Sequence, residues 1–151
     1  MSSSYVRSEI FNFLDDETGE TVIDLSTQVD DFKQMLANEN VQPNAPWLGV
    51  DFIGDDEIPV SLAATNEVGL YRESGLIRLH VCAEGKIGAQ NDMLSRGESL
   101  RNLFRGRRIG SIVIESVSPI NFGIGATLEF DGGYVSGTIV IGYRRDLSPG
   151  A

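Results

Sequence analysis

The apolar side chains of this chain change their spacing at Trp47, and that switch limits what it can fold into. Before it, Val6, Ile10, Phe13 and Leu14 recur at helical intervals, and Val29, Phe32 and Leu36 do so again. From Trp47 onward the interval is two. Leu48, Val50 and Phe52 alternate with Trp47, Gly49 and Asp51, and Ile77, Leu79 and Val81 alternate with Arg78, His80 and Cys82. An interval of two puts one set on a single face of a strand, whereas intervals of three and four make a helical stripe. The chain therefore reads as helices first and a sheet afterwards.

Local signals divide it further. Residues 4–14 form a short amphipathic helix, Gly19 breaks it, and Ser26 or Thr27 caps a second helix that Pro43 and Pro46 end. "WLGVDFI" is a strand, "GDDE" a polar turn, and "IPVSLAA" the returning partner, with Pro59 near its start. "EVGLYR" and "GLIRLHVCA" flank a turn at Glu73, Ser74 and Gly75. "KIGAQNDMLSRGESLRNLFRG" gives the longest helix, striped by Met93, Gly97, Leu100 and Phe104 and widened by Leu94 and Leu103. Gly97 weakens a helix by about 1 kcal/mol relative to Ala, which points to close packing against the sheet, and Gly106 suits a C-cap. Three strands follow, in "RIGSIVIESV", "NFGIGATLEF" and "YVSGTIVIGY", the last two joined through "DGG". The expectation is one α+β domain over 1–151. An antiparallel or mixed sheet is packed by one long helix, with helices in an acidic region 1–46, a sheet-plus-helix core at 47–143 and a flexible tail at 144–151.

Charge excludes more than composition does. The formal net charge is -10, which opposes any broad grip on nucleic acid phosphates. It is also uneven: residues 1–60 carry 13 acidic and 2 basic side chains, and residues 61–151 carry 9 and 10. Such asymmetry favours contacts between copies, an acidic face meeting a basic one, and equally describes a solvated acidic surface. A single cysteine, Cys82, forms no internal disulfide, and a reducing compartment is the simpler setting. No stretch approaches the about 20 apolar residues that span a bilayer, so no membrane partner is expected.

Four features of the chain could carry chemistry. His80 and Cys82 share a strand face, but their β-carbons lie roughly 6 to 7 Å apart by the strand rise, too far for a thiol–imidazole hydrogen bond. With Ile77, Leu79 and Val81 claiming the core, Arg78 and His80 fall on a face that is solvated or touches another subunit. The acidic runs Asp15 to Glu20 and Gly54 to Glu57 lack calcium-loop spacing and read as solvated turns or a weak ion site. Arg96, Arg101, Arg105, Arg107 and Arg108 gather around a helix C-terminus, where they complement its dipole and read as a solvated face; among functional roles, an inter-subunit or partner contact with an acidic surface fits them better than nucleic acid. The glycines of "NFGIGA" and "KIGA" lack the lysine and hydroxyl of a phosphate loop. No enzyme, metal or cofactor is expected.

In order and spacing, the Trp-led first strand, "GLYRESGLIRLHV", "AEGKIGA" opening a helix that ends "LRNLF", and the closing "GYVSGTIVIGY" resemble the tail terminator (tail completion) proteins of long-tailed bacteriophages, of the lambda gpU-like type. The resemblance covers most of the chain after Trp47. It implies a structural virion protein, assembled in the host cytoplasm. In that role it forms a homo-hexameric ring that caps the tail tube protein, joins it to the head–tail connector or neck, and lets DNA pass through its lumen without specific binding. An acidic wall suits that task, because like charge repels phosphates. Candidate ring or tube contacts are Arg72, Arg78, His80, Arg101, Arg105, Arg107 and Arg108, with Asp15, Asp16, Asp55 and Asp56 as their acidic counterparts. The alternatives are a neighbouring head–tail connector protein, a small-ligand binding module, and, last, a hydrolase using His80.

Overall fold

The computed structural model describes residues 4–25, 46–59, 71–84, 89–122 and 134–147, with the backbone alone described at 54–59, 71, 84, 89–90, 134–135 and 147. Helix α1 spans Ser4–Thr18, strand β1 Val22–Asp24, β2 Trp47–Pro59, β3 Tyr71–Glu84, helix α2 Ala89–Phe104, β4 Arg108–Ile109, β5 Ile112–Val117 and β6 Tyr134–Leu147. The six strands make one sheet in the order β1-β2-β3-β6-β5-β4. β1 runs parallel to β2, and every other pair is antiparallel. The protein is α+β, with a mixed sheet, as its sequence order requires.

Register explains where the core lies. Leu48, Val50 and Phe52 of β2 stand opposite Val81, Leu79 and Ile77 of β3. Leu79 and Ile77 in turn stand opposite Ile139 and Ile141 of β6. Side chains directly across a ladder share a face, so these rows form one apolar surface. Val6, Ile10 and Leu14 of α1, with Leu100 and Phe104 of α2, join the same core cluster, which places both helices on that face. The edge-to-face contact of Phe13 with Phe104, ring centroids 5.1 Å apart, ties the two helices together. Each fully buried Leu or Ile contributes about 1.5–3 kcal/mol, and this shared stripe is what holds the layers.

Helix ends follow their capping chemistry. α1 continues four residues past Leu14 and stops where Gly19 takes φ 65°. The Thr18 hydroxyl donates to the Leu14 carbonyl at 2.6 Å and accepts from the Glu20 amide at 3.2 Å. Gly106, at φ 68°, ends α2 as expected; the amides of Arg105 and Arg107 donate to the carbonyls of Arg101 and Phe104. Among the described residues α1 and α2 are of nearly equal length, 15 and 16 residues. Leu94 is 45% exposed and does not widen the α2 stripe, whereas Leu103 packs against the core.

Gly97 is buried, and the reason differs in detail from the expected one. A β-carbon there would lie 2.8 Å from Cβ of Ile120, and one at Gly137 of β6 would lie 2.8 Å from Ile120 Cδ1 and 2.6 Å from Phe122. Two glycines, one on a helix and one on a strand, thus leave the space that the Ile120 side chain occupies between α2 and the sheet.

Several expected turns are strands. β3 passes through Glu73, Ser74 and Gly75 without a turn, since it is paired on both sides, Gly75 with Tyr143 of β6 and Ser74 with Asp56 of β2. Two ladders of non-local hydrogen bonds outweigh a local glycine signal. "GDDE" is also strand. The register passes from Ile53↔Leu76 to Asp56↔Ser74, leaving Gly54 and Asp55 opposite Gly75, which is a bulge rather than a reversal. "RIGSIVIESV" is two strands around Gly110, at φ 59°. The supposed loose tail is β6 as far as Leu147, paired with β3 to its end. The second N-terminal helix, the "IPVSLAA" strand beyond Pro59, the "KIGA" start of the long helix, and most of "NFGIGATLEF" with "DGG" lie outside the described residues.

Candidate functional site

The second face of the sheet holds the polar residues that the alternation had set apart. Gly49, His80 and Thr138 fall in one row across β2, β3 and β6, and Asp51, Arg78 and Val140 fall in the next row on the same face. Arg78 donates two hydrogen bonds to the carboxylate oxygens of Asp51, at 2.8 and 2.6 Å. His80 Nδ1 shares a 3.1 Å hydrogen bond with Thr138 Oγ1. Its Nε2 is buried 3.6 Å from Asp51 Oδ1, beyond hydrogen-bond reach, and has no hydrogen-bond partner among the described residues. Burial pushes the Asp51 carboxyl up, but the adjoining His80 ring and Arg78 guanidinium more than offset it, and the group titrates below the usual carboxylate range. The same pair holds Arg78 above its ordinary value.

His80 is only 4% exposed, so the expectation that it faces solvent or another subunit is overturned. Trp47, Cys82, Ser136 and Thr138 are buried beside it on the same face, so that end of the sheet is covered on both sides. Thr138, His80 and Asp51 touch in the order of a nucleophile, a base and a carboxylate. Thr138 and His80 are both closed off from solvent, however, and the His80 nitrogen turned to Asp51 is out of bonding range. Cys82 does not meet the imidazole. Its thiol lies 3.7 Å from the His80 carbonyl, and burial drives its pKa far up, which leaves it protonated and unreactive. Among the described residues no group of His, Cys, Asp and Glu could hold a metal ion.

The other sequence candidates divide into paired and unmatched charges. Arg72 is bidentate to Asp146, which Arg144 also contacts at 3.0 Å. Arg96 bonds the Cys82 carbonyl and pairs with Glu20. Arg101 donates to the Val117 carbonyl. These arginines, like Arg78, hold the chain's own elements together. Arg105, Arg107 and Arg108 stay exposed around the end of α2. Arg107 lies over the Phe13 ring and donates to the Leu103 carbonyl, and Arg108 reaches the Gly110 carbonyl at 3.4 Å. Asp15, Asp16 and Glu17 are exposed in the last turn of α1. Among the described residues, none of these six forms an ion pair. The side chains of Asp55 and Asp56 lie outside the described residues.

Between α1 and α2 runs an open groove of about 370 Å³, lined by Glu17, Thr18 and Glu20 on one rim and by Ser95, Arg96, Ser99, Leu100 and Leu103 on the other. Sequence reading missed both this groove and the Asp51–His80–Thr138 contact. Neither has a local signature, since each joins residues brought together only by strand register or helix packing. No protein-family model and no curated protein matches the chain.

Proposed function

We propose that the chain is a structural subunit that assembles with copies of itself, in the role of a phage tail terminator: a hexameric ring that caps the tail tube and joins it to the head-side neck in the virion. The second helix over residues 26–40 belongs to the same proposal. One observation carries it. Arg78 is matched with Asp51 and Arg96 with Glu20, while exposed charges of opposite sign, at the ends of α1 and α2, form no ion pair among the described residues. Two different patches of opposite sign on one molecule suit a head-to-tail contact, and such contacts close into rings when the rotation allows. The closed state of the Thr138–His80–Asp51 group supports a role without catalysis, and the net charge of -10 supports a lumen along which DNA slides.

Negative-stain images of the purified protein, alone and mixed with tail tubes from a long-tailed phage, test the proposal. The expected result is rings of about six copies of the 16.4 kDa chain, free or seated on tube ends. Solitary particles together with bare tube ends refute it.

A further inference from the structure

Three titratable or charged side chains meet on the second face of the sheet, and they differ in their access to water. The His80 side chain is 5% exposed, that of Asp51 15% and that of Arg78 37%. Asp51 Oδ1 accepts a hydrogen bond from Arg78 Nε at 2.8 Å, and it is the same oxygen that His80 Nε2 approaches at 3.6 Å. On the far side of the ring, Nδ1 lies 3.1 Å from the Thr138 hydroxyl. Among the described residues, the groups that face the ring are thus Asp51 of β2, Arg78 and Cys82 of β3, and Thr138 of β6, with Cys82 kept a thiol by burial. The Arg96–Glu20 pair lies beyond Cys82, at its carbonyl. Asp51 is therefore the one carboxylate beside the ring in this set.

A neutral imidazole carries one proton between its two nitrogens, whereas a protonated one donates from both. One donor then has the Thr138 oxygen as acceptor, and the other has Asp51. Protonation turns the 3.6 Å approach, now beyond bonding range, into a charge-assisted hydrogen bond. It also leaves two cations on one carboxylate. A buried charge without a counterion is costly, so the surplus is relieved by whichever cation can reach water. The closed-in ring has no such route. Arg78 has one, because its long stem lets the guanidinium swing into solvent while the methylenes stay on the sheet. Leu76, two residues back on the same face of β3, is 37% exposed, so the sheet is open on that side. We propose that His80 is a proton-operated switch: on gaining a proton it takes Asp51 from Arg78 and frees the Arg78 guanidinium at the surface of the sheet. The device does not depend on self-assembly. Its output is a surface cation that is free in acid and held by Asp51 at neutral pH.

The chain has a single histidine, so its ring C–H resonances report the charge of His80 in the intact protein without further assignment. An NMR titration from about pH 8 to about pH 5 spans the range in which imidazole changes charge. It follows the ring together with the Arg78 Nε–H resonance, which is identified by its disappearance in Arg78→Lys. Asp51→Ala, which removes the carboxylate, marks where that resonance lies when the arginine is free. The expected result is a wild-type Nε–H resonance that moves from its paired position to the free one as the ring titrates, with one shared midpoint. In His80→Gln, which has no proton to gain, the resonance should keep its paired position throughout; amide spectra verify that each variant is folded. A ring whose resonances stay flat until the protein unfolds overturns the switch. So does a ring that titrates while the Arg78 resonance stays put, or an Arg78 resonance that moves equally in His80→Gln. Should His80→Gln not fold, the two midpoints in the wild type decide, and midpoints that differ overturn the proposal.

Discussion

Replacing Gly97 by Ala separates local helix preference from packing more cleanly than any other single change in this protein. Position 97 lies within α2, where Ala is favoured over Gly by about 1 kcal/mol, so propensity alone predicts stabilisation. The structure predicts the opposite. The added methyl would meet Cβ, Cγ2 and Cδ1 of Ile120 at 2.8, 2.9 and 3.1 Å, and the nearest of these is fixed to backbone rather than carried on a flexible tip. Forcing a methyl into packed space costs about 1–3 kcal/mol, and a contact this short belongs in the upper part of that range. The net effect is a loss of about 1–2 kcal/mol, or roughly 2–8 °C in Tm for a chain of this size. Urea unfolding of Gly97→Ala measures it, with Asn102→Ala as an exposed control on the same helix. Adding Ile120→Ala should make the pair less destabilised than the sum of the two single changes. If Gly97→Ala alone gains about 1 kcal/mol, the close approach of Ile120 to α2 is wrong.

Three further outcomes follow from the buried polar face. Asp51 has a depressed pKa in the folded protein, so it contributes stability above its unfolded value of about 3.9, and that contribution is lost as pH falls through the folded value. Unfolding free energies measured from neutral to acid pH should therefore fall less steeply for Asp51→Asn than for the wild type; parallel curves would exclude Asp51 from the acid limb. His80→Ala leaves Thr138 and Asp51 without the ring and should lower stability by about 1–3 kcal/mol, measured by denaturant titration; an unchanged midpoint would mean the ring is not held as described. Cys82 should resist thiol reagents at pH 8 in the native protein and react promptly once unfolded; fast native labelling would show that its strand is not closed.

What the sequence shows of this fold is what short-range spacing can encode. Val6, Ile10 and Leu14 at four-residue intervals mark the buried face of α1, Met93, Gly97, Leu100 and Phe104 mark that of α2, and Gly106 marks its end. Ile77, Leu79 and Val81 likewise identify the core side of β3. The errors come from contacts at long range. Gly75 looks like a turn because nothing nearby shows that its strand is paired on both sides, Gly75 itself with Tyr143 of β6 and its neighbours Ser74 and Leu76 with β2. β1 has only three residues and exists as a strand because it pairs with Leu48, Gly49 and Val50. Alternation places His80 away from the apolar core correctly but does not tell that its face is covered as well. Among the surface candidates, Arg72 and Arg78 appear unattached in the sequence, since Asp146 and Asp51 are distant in the chain and adjacent only across the ladders.

The central claim is that unmatched surface charge brings copies of this chain together, and sedimentation velocity over a salt series tests it most directly. The screening length shortens from about 30 Å at 0.01 M to about 3 Å at 1 M ionic strength. The account predicts a ring-sized species at low salt that gives way to the 16.4 kDa chain as salt rises. A single 16.4 kDa species at every salt and protein concentration would contradict it.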